Sequence, residues 1–342
     1  MVVAPSLPEY DALLVVSFGG PERREDVIPF LENVLRGKPV PRSRMEEVAE
    51  HYYHFGGVSP INAQNRELIA AIATKLRADG PDLPVYGGNR NWHPLLPDAL
   101  RQMRDDGVQR TLAFVTSAYS SYSGCRQYLE NIETARDEIG DDAPRVDKLR
   151  VFYNHPRFIQ AVMAGVTASL AEIPTDRHST TQLIYTAHSI PEMMAQNCQY
   201  VLQLEETSRL VTEQLTEQLG DFDWRLVYQS RSGSPAQRWL EPDICDYLGE
   251  VKQAGQVTDV VIVPIGFISD HMEVLFDLDC EARELCERLG LNMVRAGTVG
   301  THPELIQMIH DLILERTSVV KRLAAGKFGP NHDQCPLDCC PY

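Results

Sequence analysis

The segment GFISDHMEVLFDLDCE, Gly266 to Glu281, carries acids at Glu273, Asp277 and Glu281 inside an otherwise apolar stretch. Spacing of i, i+4 and i+8 stacks three carboxylates along one side of an α-helix, in a fan of roughly 80° at about 100° per residue. The same spacing also suits a solvated face. If the row is enclosed, burial and each neighbouring charge disfavour ionisation. Such acids relay protons or strip the hydration water of a metal in stages. His188 is the second candidate: it ends the apolar run in YTAHSIPE, where Pro191 stops the strand. A neutral imidazole, with an ordinary pKa of about 6.5, accepts a proton or binds a transition metal at cellular pH. A satisfied structural histidine is the other reading. If His188 and Glu273 face one another, base and carboxylate stand at the head of an acidic row. That arrangement suits a reaction in which a divalent cation goes in and protons come out.

A third cluster lies in the tail. Five of the eight cysteines (Cys125, Cys198, Cys245, Cys280 and Cys286) are scattered singly in hydrophobic surroundings, whereas Cys335, Cys339 and Cys340 crowd into HDQCPLDCCPY. In a reducing cytosol these three read as metal ligands or redox thiols rather than a disulfide framework.

The elements that must position these groups follow from the hydrophobic pattern. Short β-branched runs (DALLVVSFGG, PVYGGN, RTLAFVTSAYSS, TTQLIYTAHSIP, WRLVYQSRSG, TDVVIVPIGF, NMVRAGTV) alternate with amphipathic stretches. The pattern predicts helices over 24–36, 62–78, 94–106, 156–172, 200–219, 241–254 and 303–323. Alternation of this kind implies βαβ units and parallel sheets, here as two similar α/β halves with the change near 145–155. Ligands bind outside the carboxyl ends of such strands, which carry Phe18, Arg90, His188, Gln229, Ser230 and His271 among others. The GG after the first strand does not complete a dinucleotide fingerprint.

Acids outnumber bases 48 to 32 in the 342 residues, and the net charge of −16 argues against broad binding to nucleic acid or anionic membranes. No apolar run reaches the roughly 20 residues of a membrane span, and no basic region precedes the first apolar run, so a cytoplasmic location is expected. A monomer is expected, because no extended exposed apolar stripe stands out.

LLVVSFGGP, HFGGVSPINAQN, YTAHSIPE, VYQSRSG with WLEPD, and VPIGFISDHMEVLFDLD occur in this order. Together they resemble the ferrochelatases, over about residues 10–325. The cysteine-bearing tail is similar to that of the actinobacterial branch, which inserts ferrous iron into coproporphyrin III and carries a 2Fe-2S cluster. The resemblance implies two Rossmann-like, chelatase-type domains with parallel four-stranded sheets and a cleft between them. Their expected bounds are 1–148, joined by the C-terminal helix 303–325, then 149–302, then the tail 326–342.

By the same resemblance His188 is the active-site histidine, as proton acceptor or first iron ligand, and Glu273 is its partner carboxylate. Asp277 and Glu281 continue as the acidic path. Phe18, Arg36, Tyr52, Ser59, Gln229 and Ser230 line the porphyrin site, with Gly56 and Gly57 allowing close approach. Phe18 stands where several relatives have a tyrosine, so it packs against the ring but cannot ligate. His51 stands where some place an arginine, and Arg23, Arg24, Arg126 and Arg231 are candidate substitutes for binding propionates. Cys125 with Cys335, Cys339 and Cys340 matches the cluster ligands, although C-x3-CC is tighter than the related spacing and zinc on four thiolates is also chemically reasonable. The product is expected to pass to the next haem-pathway enzyme. Insertion into protoporphyrin IX, with two propionates instead of four, is the alternative activity. A non-catalytic tetrapyrrole carrier is the alternative from another class.

Overall fold

A computed structural model describes residues 9–38, 40–233, 236–336 and 339–341. Eight strands among them form two four-stranded sheets. The first has the order β2-β1-β3-β4, with β1 Ala12–Ser17, β2 Val85–Asn89, β3 Arg110–Val115 and β4 Arg145–Lys148. The second has the order β6-β5-β7-β8, with β5 Thr181–His188, β6 Asp223–Gln229, β7 Asp259–Val263 and β8 Asn292–Arg295. Every pairing is parallel. Parallel pairing requires helical crossovers that cover both faces, and the central strands are accordingly apolar throughout. All of β1 and all of β7 are buried.

β4 is the strand the pattern hides. It lies inside the segment read as the change between halves, and its sequence RVDK has only one apolar residue. The helix Arg42–His54 is hidden for the same reason: only Met45 and Ala49 in it are buried, too thin a stripe to register as periodic. The C-terminal helix is shorter than expected, Pro303–Thr317 instead of 303–323. Ser318 is extended at φ −142° and is followed by exposed Val319 and Val320, β-branched residues that favour extended chain.

One core is shared by both sheets. Leu13, Leu112 and Phe114 of the first, Leu183, Tyr185 and Val261 of the second, and Leu305, Ile309 and Leu312 of the C-terminal helix belong to a single buried cluster. The chain beyond that helix folds back and is held by polar contacts. Asn154 Nδ2 donates to Phe328 O at 3.0 Å and Gly329 O at 3.2 Å. Lys327 N–H donates to Glu206 Oε1 at 3.2 Å, and Asn331 Nδ2 donates to Ser120 Oγ at 3.2 Å. These contacts bring the cysteine tail beside the end of β3.

Candidate active site

His188 is the last residue of β5, and strand register places it beside Gln229, the last residue of β6. The loop after β7 returns across this end of the sheet. Gly266 N–H donates to Thr186 O at 3.0 Å. A Cβ on Gly266 would stand 2.7 Å from Ala187 Cα, so a side chain there would push the loop off β5. The loop delivers His271, whose Nδ1 accepts from Glu273 N–H at 3.2 Å and caps the helix that begins at Met272. His271 belongs to the site although the acid spacing gave no signal for it. Burial holds its pKa below the ordinary imidazole range. Two further contacts brace the loop. Gln64 Oε1 accepts from Asp270 N–H at 2.8 Å, and Arg295 bonds Asp279 at 2.7 Å and Asp270 at 3.3 Å.

His188 Nδ1 makes a short contact with the carbonyl of Ser189. A carbonyl only accepts, so the neutral ring carries its proton on Nδ1 and presents the Nε2 lone pair outward. Nε2 lies 3.7 Å from Glu273 Oε2, with the two side chains 29% and 48% exposed. Base and carboxylate are therefore within reach of a common third group and open to it.

The acidic row differs from a regular α-helix. Met272–Val274 is α, Leu275–Ala282 is π-helical and Arg283–Leu289 is α, with Arg283 N–H bonded to Leu278 O. Such widened turns are rare and concentrate at functional sites. Glu273 and Glu281 are exposed and only Asp277 is partly enclosed, so the row faces inward at its middle alone. There Ser230 Oγ makes a short hydrogen bond to Asp277 Oδ2. Gln229 Nε2 donates to Glu273 O at 3.2 Å and Asp277 Oδ2 at 3.4 Å. Ser230 holds φ +61°, a left-handed conformation unusual for serine, and its hydroxyl is aimed at the carboxylate.

Burial pushes Asp277 up to about 7; the Ser230 hydrogen bond opposes this, while Glu273 and Glu281 add to it. An unfolded aspartate ionises from its ordinary value of 3.8 upward, whereas the folded one stays protonated to about 7. Stability therefore falls as pH rises between those values. Asp277→Asn is expected to raise unfolding free energy by on the order of 2 kcal/mol at pH 8 and to change it little at pH 4. Urea midpoints at the two pH values check this, and an equal gain at both would rule out the ionised carboxylate as the cause.

Other predicted lining residues separate into two groups. Tyr52 packs on Phe30 with centroids 5.7 Å apart, and burial and then Glu273 hold its phenol protonated. Phe18 packs edge-on to Phe30 at 6.2 Å, under the Arg90 guanidinium at 5.7 Å from its ring centroid. These two stand with the site. Arg36, in contrast, is exposed and bonded to Asn33 at 2.5 Å. Ser59 is buried against Gly20, with its N–H bonded to Pro21 O. The candidate substitutes also have partners: Arg23 bonds Asp26, Arg24 lies 4.1 Å over the Tyr53 ring, Arg126 bonds Glu130 and Arg231 bonds Gln237 O. His51 stacks on Phe276 across the cleft, centroids 3.7 Å apart and planes at 8°. His54 Nε2 lies 3.8 Å from Cys280 Sγ beside it.

The tail forms a second centre. Cys125 sits on a π-helical turn, Tyr122–Arg126, after β3, and is hydrogen-bonded to Cys335. That bond, aided by Lys148, holds the Cys125 thiol below its ordinary range. Cys339 Sγ lies 3.7 Å from Cys340 Sγ and 3.7 Å from His332 Nε2. Cys198, scattered in sequence, stands close enough to bear on the titration of Cys340. This gathering of thiols and one imidazole fits a group of iron and sulfide, or zinc.

The fold and the His188–Glu273 site together define a two-sheet chelatase. The Bacillus subtilis SirB structure with Fe3+ shares the fold at a TM-score of 0.52 and 11% identity, with 90% of this chain and 96% of that one aligned. DR2241 of Deinococcus radiodurans, described as similar to chelatases, does so at 0.52 and 14%, over 92% of this chain and 57% of that one. Residues 10–317 match the family described as Ferrochelatase. A Rhodopirellula baltica ferrochelatase is 56% identical over 98% of this chain and 95% of its own. The Streptomyces griseus coproporphyrin III ferrochelatase is 49% identical, over 97% and 93%, and that of Nocardia farcinica 46%, over 96% of each. The chain belongs to the ferrochelatase family and is an iron-inserting lyase. No helix among the described residues is long and apolar enough to cross a membrane.

Proposed function

We propose that this ferrochelatase inserts ferrous iron into coproporphyrin III. The observation that carries the chemistry is the outward Nε2 of His188, 3.7 Å from Glu273, with partly enclosed Asp277 behind. Two pyrrole N–H protons must leave as Fe2+ takes the four nitrogens. His188 Nε2 accepts one, its charge offset by Glu273, and the carboxylates of Glu273, Asp277 and Glu281 carry protons away or conduct the incoming cation. A cleft that favours the bent macrocycle over the flat one lowers the barrier by differential binding, because bending exposes the nitrogen lone pairs on one face. Phe18 contributes a packing surface and no axial ligand. Entry of a tetrapyrrole between the helix Arg42–His54 and the helix beginning at Met272 parts the His51–Phe276 stack.

The names of the Streptomyces and Nocardia relatives support the four-propionate substrate. Cationic Arg90 beside Phe18 and the His51 ring supply local attraction within an acidic protein. Cys125, Cys335 and Cys339, with Cys340 or His332, are the donors that hold a 2Fe-2S cluster. When bound, that group supplies a cross-link and a one-electron couple. The chain's own contribution is to bring the tail to the end of β3 through Asn331, Lys327 and Asn154.

Anaerobic turnover with ferrous iron, followed by porphyrin absorbance, tests the substrate. The expected result is a kcat/KM for coproporphyrin III at least about tenfold above that for protoporphyrin IX, equivalent to roughly 1.4 kcal/mol of transition-state binding. A protoporphyrin preference would transfer the assignment to the two-propionate substrate.

A further inference from the structure

Resting on the cluster reading above, we infer that His332 is the fourth protein ligand of the tail group, in place of Cys340. The donor atoms of His332, Cys335 and Cys339 all lie within 4.8 Å of one another. They come from three separate points of one short segment that the contacts of Asn331 and Lys327 hold in place. Cys125 joins from the first sheet through its hydrogen bond to Cys335. The donors thus fall into two touching pairs, Cys125 with Cys335 and Cys339 with His332, the latter at 3.7 Å. A 2Fe-2S group needs that arrangement, two protein donors for each of two irons.

Cys340 fits less well. It touches Cys339 at 3.7 Å but stands outside the convergent set, and it is buried at 5% exposure. Its backbone is left-handed at φ +51°, unusual for a residue with a Cβ. Adjacent residues also start from Cα atoms only about 3.8 Å apart, so placing both thiolates on one iron constrains the intervening peptide. His332 reaches the same position from outside with no such constraint, and it is exposed enough to do so without rearranging the core.

Exchanging thiolate for neutral imidazole removes one negative charge from the site. Histidine ligation raises the potential of such clusters, as the two-histidine centres show. This chain's tail group is therefore easier to reduce than its all-cysteine counterpart.

The test uses the full chain purified anaerobically with its iron and sulfide, reduced, and produced with 14N- or 15N-histidine. Electron-nuclear double resonance of the reduced cluster is expected to show an isotope-sensitive nitrogen coupling. That coupling is lost in His332→Ala and kept in Cys340→Ser, which retains its full iron and sulfide content. His332→Cys, which restores four thiolates, is expected to shift the midpoint potential to a more negative value. If the cluster is present but its spectrum is indifferent to the isotope, the ligand assignment is overturned and the cluster reading stands. The same holds if Cys340→Ser loses the cluster while His332→Ala keeps it. A wild-type chain that binds no iron and sulfide, even after reconstitution, overturns both.

Discussion

Replacing His188 by alanine is expected to slow metal insertion by about 10²- to 10⁴-fold, the span typical of removing a positioned general base. Porphyrin affinity should change by less than about threefold, because the imidazole is one edge of a large apolar and polar contact surface. The split between the two effects is what identifies the role. Nδ1 is committed to the Ser189 carbonyl, so only Nε2 faces the substrate, 3.7 Å from Glu273. Its loss removes proton acceptance and leaves packing nearly intact, since the side chain is already 29% exposed. Single-turnover metallation measured beside fluorescence titration of the metal-free porphyrin separates chemistry from binding. Addition of free imidazole should restore part of the rate in the alanine variant. If binding and turnover fall together, His188 is a structural support for the cleft, and proton acceptance belongs to another group such as His271.

The second large effect concerns stability. Arg150 and Glu315 form an ion pair whose side chains are 1% and 2% exposed, bonded twice at 2.7 and 2.8 Å. Arg150 also donates to Leu323 O at 2.8 Å, and Glu315 accepts from Leu323 N–H at 3.2 Å. The pair thus joins the segment after β4, the C-terminal helix and the start of the returning tail. Glu315→Ala leaves a guanidinium desolvated and unpaired, at a cost of about 3–5 kcal/mol. Removing both charges together, as Arg150→Met with Glu315→Leu, should recover much of that loss, because replacing a buried pair with apolar groups is often neutral. Urea unfolding checks both, provided the slope with denaturant is unchanged. A loss below about 1 kcal/mol in Glu315→Ala would mean that water reaches Arg150. Glu315→Ala should also speed proteolysis between residues 318 and 330, where the chain has little other anchorage.

The reading of fold class from sequence worked where burial is on both faces of a strand. Runs such as ALLVVS and DVVIV are apolar because parallel sheets are covered on both sides, and the structure contains both as fully buried strands. It failed where an element is amphipathic or exposed. β4 and the helix Arg42–His54 have few buried residues, so hydrophobic period carries little information about them. The helix after Thr317 failed differently: its residues can continue a helix, but contacts from Asn154 and Glu206 hold the chain elsewhere.

For the site, sequence alone determined the donors: an imidazole at a strand end, acids at four-residue spacing, and thiols crowded in the tail. These are properties of local order, and residue type with strand alternation is enough to read them. Tertiary structure decided which donors meet and in what state. His188 and Glu273 come from opposite sides of β7, and only the return of the Gly266 loop over β5 brings them together. Asp277 is held protonated to about 7 because packing encloses it while leaving Glu273 and Glu281 open, a difference no spacing contains. Arg36 lies on Asn33 at the surface, and His332 meets Cys339, for the same reason. Local order sets what each side chain can do; desolvation and contact between distant segments set what it does.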